Sequence, residues 1–101
     1  MDGLTALKNG PASVVIITRN TRELLLGLLG SLQKDAETLA LVKEIIIVDN
    51  GSTDGTLEAV GTQYPGAILL RNETNRGFAA AVNQAWRTAS GAIILLLNSD
   101  T

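Results

Sequence analysis

Two acidic turns follow two apolar runs in this chain, and their side chains could hold an anionic ligand through a metal ion. Glu44-Ile45-Ile46-Ile47-Val48 leads into Asp49-Asn50-Gly51-Ser52-Thr53-Asp54-Gly55, and Ala92-Ile93-Ile94-Leu95-Leu96-Leu97 leads into Asn98-Ser99-Asp100. Asp49 has two readings. Its carboxylate could accept the ring N–H of a pyrimidine base, or it could bond its own backbone as an Asx-turn residue. Asp100 could bind a divalent cation that neutralises a diphosphate, an anion that bare carboxylates would repel. Asn98 could add an amide oxygen; the plainer alternative is that Asn98-Ser99-Asp100 caps a following helix. Gly77, after Asn75-Arg76, leaves room for a ligand or a neighbouring backbone to come close. Arg71 and Arg76 could neutralise phosphate or stand as solvated loop charges. Asn50-Gly51 reads as tight-turn geometry, and Ser52, Thr53 and Asp54 as turn and capping residues.

Composition narrows the chemistry. Cysteine and histidine are both absent, which excludes disulfides, thiolate catalysis, Ser-His-Asp triads and zinc sites built on sulfur or imidazole. Any metal is therefore hard and oxygen-bound, Mg²⁺ or Mn²⁺. A net charge of −2 gives no basic face for nucleic acid or an anionic membrane. One Trp, one Tyr and one Phe make no base-stacking platform. No apolar stretch approaches the roughly 20 residues of a membrane span, and the N-terminus lacks a signal-peptide core. A cytoplasmic location is expected, with membrane association open for a longer protein.

Elements that could position these residues alternate along the chain. Residues 1–11 read as a flexible leader, and 12–101 as one domain. Ala12–Thr18 is a β-branched run of the kind found in strands buried on both faces. Asn20 and Glu23 could form a capping box for a helix whose face is Leu24, Leu25, Leu28, Leu29 and Leu32. Ile45–Val48 is a second strand, Thr56–Gln63 a helix capped by Asp54, and Ala67–Leu70 a third strand. Asn75 could cap a helix from Gly77 to about Ala89, with the small residues Ala79, Ala80 and Ala81 beside Asn83 close to the sheet. Ala92–Leu97 is the fourth strand. The order βαβαβαβ predicts an α/β fold, a parallel Rossmann-like sheet with helices on both faces. Ligands in such sheets bind beyond the carboxyl ends of the strands, where both acidic turns fall.

Four blocks together resemble the family 2 glycosyltransferases. They are Ser13-Val14-Val15-Ile16-Ile17-Thr18-Arg19-Asn20, Val48 to Gly55, Asn75-Arg76-Gly77-Phe78-Ala79-Ala80-Ala81-Val82-Asn83, and Leu97-Asn98-Ser99-Asp100. The resemblance covers Ala12 to Thr101 and implies the nucleotide-sugar-binding N-terminal half of a GT-A fold. It implies further that Thr18 and Asn20 lie near the nucleoside, that Asp49 pairs with the base, and that Asp100 ends a metal-binding Asp-x-Asp motif. Asn98 replaces the first Asp of that motif, and Asn50 replaces an Asp often found after the base-binding one. Both departures are similar to the rhamnosyltransferase-like branch, which implies a UDP- or dTDP-sugar donor and a saccharide or lipid-linked acceptor. The catalytic base of an inverting transfer is then expected beyond Thr101, in a second half, and the 101-residue chain is expected to be inactive alone. An unpaired edge on the fourth strand predicts self-association.

Rival readings fit less well. A dinucleotide-binding enzyme needs Gly-x-Gly-x-x-Gly after the first strand, where Thr18-Arg19-Asn20-Thr21-Arg22-Glu23 stands, and no P-loop is present. A non-catalytic nucleotide-binding module, or a folding fragment that binds little, is the alternative that sequence leaves open.

Overall fold

A computed structural model describes residues 10–98 of the chain, without the side chain of Asn98. Expectations for residues 1–9, Ser99 and Asp100 lie outside these described residues. The elements are β1 (Ala12–Thr18), α1 (Arg22–Lys34), α2 (Ala36–Leu39), β2 (Val42–Asn50), α3 (Thr56–Gln63), β3 (Ile68–Asn72), α4 (Phe78–Thr88) and β4 (Ile93–Asn98). All strand pairs are parallel, in the order β3-β2-β1-β4. No helix among the described residues is long and apolar enough to cross a membrane.

Strand alternation builds two cores from one sheet. Val14, Ile16, Ile45 and Ile47 pack with Leu25 and Leu29 of α1 and with Leu57 and Val60 of α3. Val15, Ile17, Ile46 and Val48 face the other way, onto Ala81 and Ala85 of α4. Helices therefore cover both faces, as the continuous apolar strands require. Every residue of β1 is buried, and full burial of a Leu or Ile side chain contributes about 2 kcal/mol. The small alanines let α4 lie close to the sheet, but only Ala81 of the Ala79-Ala80-Ala81 run is buried, and Asn83 is exposed.

Several local expectations are corrected. Thr21, not Asn20, stands at the N-terminus of α1, and it makes no side-chain cap bond there. Glu23 pairs with Arg22 Nε at 3.2 Å instead of reaching back. Leu24 is 58% exposed, because α1 turns only Leu25 and Leu29 fully inward. β2 begins at Val42 rather than Ile45, and a short helix, α2, precedes it. Asp35 opens α2 by accepting from Thr38 N at 3.2 Å and Thr38 Oγ1 at 2.8 Å.

The amino ends of the strands are tied by Glu44. Its Oε2 accepts from Ser13 Oγ at 2.6 Å, Ser90 N at 2.7 Å and Ser90 Oγ at 3.1 Å. Ser13 Oγ in turn accepts from Gly91 N at 2.8 Å. Ile93 N donates to the Pro11 carbonyl at 3.1 Å, which joins the start of β4 to the residue before β1.

Candidate functional site

The strand order reverses direction at β1. From β1 the chain winds outward through β2 to β3, and α4 then carries it across the opposite face to β4 on the other side of β1. A crevice is expected at the carboxyl end of such a switch point. The residues singled out by sequence converge on it: Thr18 is the register partner of Asp49, and Ile17 is the partner of Asn98. At about 4.8 Å between strands, the end of β4 lies two spacings, about 10 Å, from that of β2.

Asp49 closes its own turn, one of its two sequence readings. It is only 2% exposed, and Oδ1 accepts from Ser52 N at 3.0 Å, which closes the turn. Oδ2 has no hydrogen-bond donor among the described residues. A buried carboxylate oxygen without a donor is costly, and Asp49 is a turn residue with one oxygen in that state among the described residues.

Thr18 is also buried, and its hydroxyl shares a 2.8 Å hydrogen bond with that of Thr21. Asn20 is instead a bracket between turns. Its N–H donates to Ser52 Oγ at 2.9 Å, and its Oδ1 accepts from Thr53 N at 2.8 Å. It does this at φ 53°, a left-handed conformation that Asn tolerates better than most residues. Asp54 forms a second bracket: Oδ2 accepts from Arg22 N at 3.1 Å, and Oδ1 accepts from Thr56 N at 3.1 Å and from the Thr56 hydroxyl. The Thr56 hydroxyl bond holds the Asp54 carboxyl below its ordinary pKa; burial opposes this, and the N–H groups of Arg22 and Thr56 add to it. The first two turns thus form one crosslinked rim around Asp49.

The loop between β3 and α4 leans on the same turn. Gly51 has φ +85°, and a Cβ there would meet Thr74 C at 3.1 Å and Asn75 N at 3.2 Å. Gly77 has φ 86° and ψ 164°, a conformation natural only to glycine. A Cβ at Gly77 would have nothing within 4 Å, so the space expected for a ligand is present. Asn75 Oδ1 accepts from Gly77 N at 2.9 Å, a turn bond just ahead of α4. Arg71 is held by Glu58 at 2.5 Å, while Arg76 makes no ion pair among the described residues. Of the two arginines, Arg76 is the one available to an anion.

Sequence reading missed the polar cluster beneath this loop. Asn50 Oδ1 accepts from Asn72 Nδ2 at 3.0 Å and from Arg76 N at 3.2 Å, and Asn50 Nδ2 donates to the Gly77 carbonyl at 3.1 Å. Asn72 Nδ2 also donates to Gln84 Oε1 at 2.9 Å. The available signal was two strands each ending in Asn, which register pairs as Asn50 with Asn72.

No group of three or more Asp or Glu suited to a cation occurs among the described residues. The donor set of the chain is all oxygen, and Mg²⁺ or Mn²⁺ fits such donors when phosphate and water complete the shell. Asn98 and Asp100 are the residues positioned in sequence to supply it, with Asp100 outside the described residues.

A four-stranded parallel α/β sheet of this kind is shared with GT-A glycosyltransferases. The chain belongs to glycosyl transferase family 2, whose sequence profile matches residues 13–101. It is 41% identical over 95 residues to the glycosyltransferase YfnE of Bacillus subtilis, covering 88% of this chain and 23% of that protein. It is 39% identical over 57 residues to the N-acetylglucosaminyl-diphospho-decaprenol L-rhamnosyltransferase of Mycobacterium tuberculosis, covering 52% of this chain and 19% of that one. The structure is similar to the mannosyltransferase PcManGT of Pyrobaculum calidifontis in complex with GDP-Man and Mn²⁺, with TM-score 0.76 and 27% identity over 98% of this chain and 29% of that one. It is also similar to TarS of S. aureus, with TM-score 0.74 and 32% identity over 88% of this chain and 16% of that one. The chain thus spans less than a third of each of these proteins.

Proposed function

We propose that the chain is the donor-binding part of an inverting glycosyltransferase that uses a UDP- or dTDP-sugar. The observation that carries this reading is the Oδ2 of buried Asp49, which has no donor among the described residues, at the carboxyl end of a central strand. A uracil or thymine ring N–H would donate to that oxygen. The diphosphate would then run along the strand ends toward β4, a path that a nucleoside can span. Asn98 and Asp100 would hold Mg²⁺ or Mn²⁺, which supplies Lewis-acid neutralisation of the diphosphate leaving group. That PcManGT was solved with GDP-Man and Mn²⁺ supports the metal, and the rhamnosyltransferase relative supports a deoxysugar-type donor and a lipid-linked acceptor.

Asp49, Thr18 and the crosslinked rim orient the donor. Deprotonation of the acceptor hydroxyl needs a base on the far side of the anomeric carbon, and no carboxylate among the described residues takes that role. We assign the base to a region outside residues 1–101, so the chain alone binds donor without transferring sugar.

Calorimetric titration with UDP and dTDP, each with and without Mn²⁺, tests the reading. Metal-dependent binding that is lost in Asp100→Ala and weakened in Asp49→Ala is expected. Absence of binding under every condition would sink it and favour the folding-fragment alternative.

A further inference from the structure

We propose that Asn50 is a positioning residue that fixes the Arg76–Gly77 turn at the carboxyl edge of the sheet and thereby sets the affinity of the site for nucleotide. The role rests on the donor-binding reading above.

Successive strand residues face opposite sides of a sheet. Asn50 therefore points away from Asp49, toward the α4 side, and cannot share its ligand. It is 4% exposed, and its amide is used on both ends. Oδ1 accepts from Arg76 N at 3.2 Å and Nδ2 donates to the Gly77 carbonyl at 3.1 Å, so one side chain grips the backbone of two successive loop residues. Asn72 Nδ2 fills the second acceptor position of Oδ1 at 3.0 Å and is itself anchored on Gln84 at 2.9 Å. The grip is thereby referred to β3 and to α4.

The Gly77 carbonyl also accepts from Ala81 N at 3.3 Å, in the first turn of α4. Both its lone pairs are then occupied, and the start of the helix is set by the same contact. The turn held in this way carries the Arg76 guanidinium, which makes no ion pair among the described residues, and the open approach at Gly77. An amide meets all three of these contacts. A carboxylate at position 50 keeps the acceptors for Arg76 and Asn72 but has no N–H for Gly77, and it places an anionic oxygen against a carbonyl.

The test is titration of the wild-type chain and Asn50→Asp with UDP plus Mn²⁺, and in parallel with dTDP plus Mn²⁺, followed by backbone amide resonances. In the free variant, the Gly77, Phe78 and Ala81 amides are expected to shift while Val14–Ile17 stay in place. Nucleotide affinity is expected to fall roughly ten- to hundred-fold, the scale of one lost buried hydrogen bond and a displaced turn. If Asn50→Asp does not fold, Asn50→Ser is read in the same way. Unmoved Gly77 and Ala81 resonances overturn the proposal, as does a shifted turn with affinity unchanged. Wild-type chain that binds neither nucleotide overturns the donor-site reading and this role with it, whereas binding that survives Asn50→Asp overturns this role alone.

Discussion

Thr18 and Asp49 are register partners at the carboxyl ends of adjacent central strands, and both are buried. Their pairing puts a hydroxyl and a carboxylate side by side at the carboxyl edge of the sheet, and the turn role of Asp49 and its proposed ligand role use different oxygens and can be tested apart.

Asp49→Asn keeps an oxygen for Ser52 N, so the turn is expected to stay closed and the melting temperature to change little. The amide replaces the spare carboxylate oxygen, either with an N–H facing the base N–H or with a neutral acceptor. UDP affinity is expected to fall about ten- to hundred-fold, since charge-assisted bonds contribute about 1.5–3 kcal/mol. Asp49→Ala should lose both affinity and stability. Paired calorimetry and thermal melts check this; equal stability loss in the two variants would refute the division of labour.

Asn20 bears a backbone cost and a side-chain gain that can be measured apart. Asn20→Gly removes the acceptor for Thr53 N but suits φ 53°. Asn20→Ala removes the same acceptor and adds about 1 kcal/mol of left-handed strain. Denaturant unfolding should therefore rank wild type above Asn20→Gly above Asn20→Ala. Reversal of the two variants would count against strain at this position.

Glu44 gives the fold an acid-sensitive tie. Burial pushes its carboxyl up, but the bonds from the Ser13 hydroxyl and from Ser90 outweigh burial and leave it below the ordinary glutamate value. A carboxyl with a depressed folded pKa stabilises fully above its unfolded pKa, near pH 4, and that contribution is lost as pH falls through the lower folded value. Glu44→Gln should cost about 1 kcal/mol at neutral pH and should flatten this part of the acid profile. A wild-type-like acid profile in Glu44→Gln would show that other carboxylates dominate there.

The edge of β4 is the expected route to self-association. It pairs only with β1 among the described residues, and Ile93, Leu95 and Leu96 are 57%, 45% and 39% exposed. Leu96 also borders an apolar hollow with Val15, Val82, Trp86 and Ile94. An unprotected apolar edge invites another strand, so sedimentation should find dimers or larger species at high concentration. Leu95→Lys should shift the distribution toward monomer, and a wild-type chain that sediments as monomer at every concentration would dismiss the idea.

Much of the fold was legible because apolar periodicity and turn chemistry agree. The bounds of β1 and α3 were read directly from β-branched residues and from the polar turn before Thr56. What could not be read was which polar side chain meets which loop. Asn20 looked like a cap, yet its partners are Ser52 and Thr53 on another turn. Asn50 looked like turn geometry alone, yet the register with Asn72 brings it under a loop more than twenty residues away, with |i−j| of 27 to Gly77. Such partnerships are decided by strand order, which local sequence does not encode. Asp49 was legible as a turn residue because Asp ahead of Asn-Gly at a strand end bonds the backbone of its own turn.

The Gly91 N–H donates to Ser13 Oγ across 78 residues, at the junction of the interior strand β1 with the edge strand β4. During synthesis β1 therefore emerges long before the strand that covers its second edge. At about 5–20 residues per second, the ribosome needs roughly 4 to 16 s to deliver the partner. For that interval the fully buried strand β1 has β2 at most on one side and nothing on the other, so its second edge stays open until the chain around Gly91 has been made.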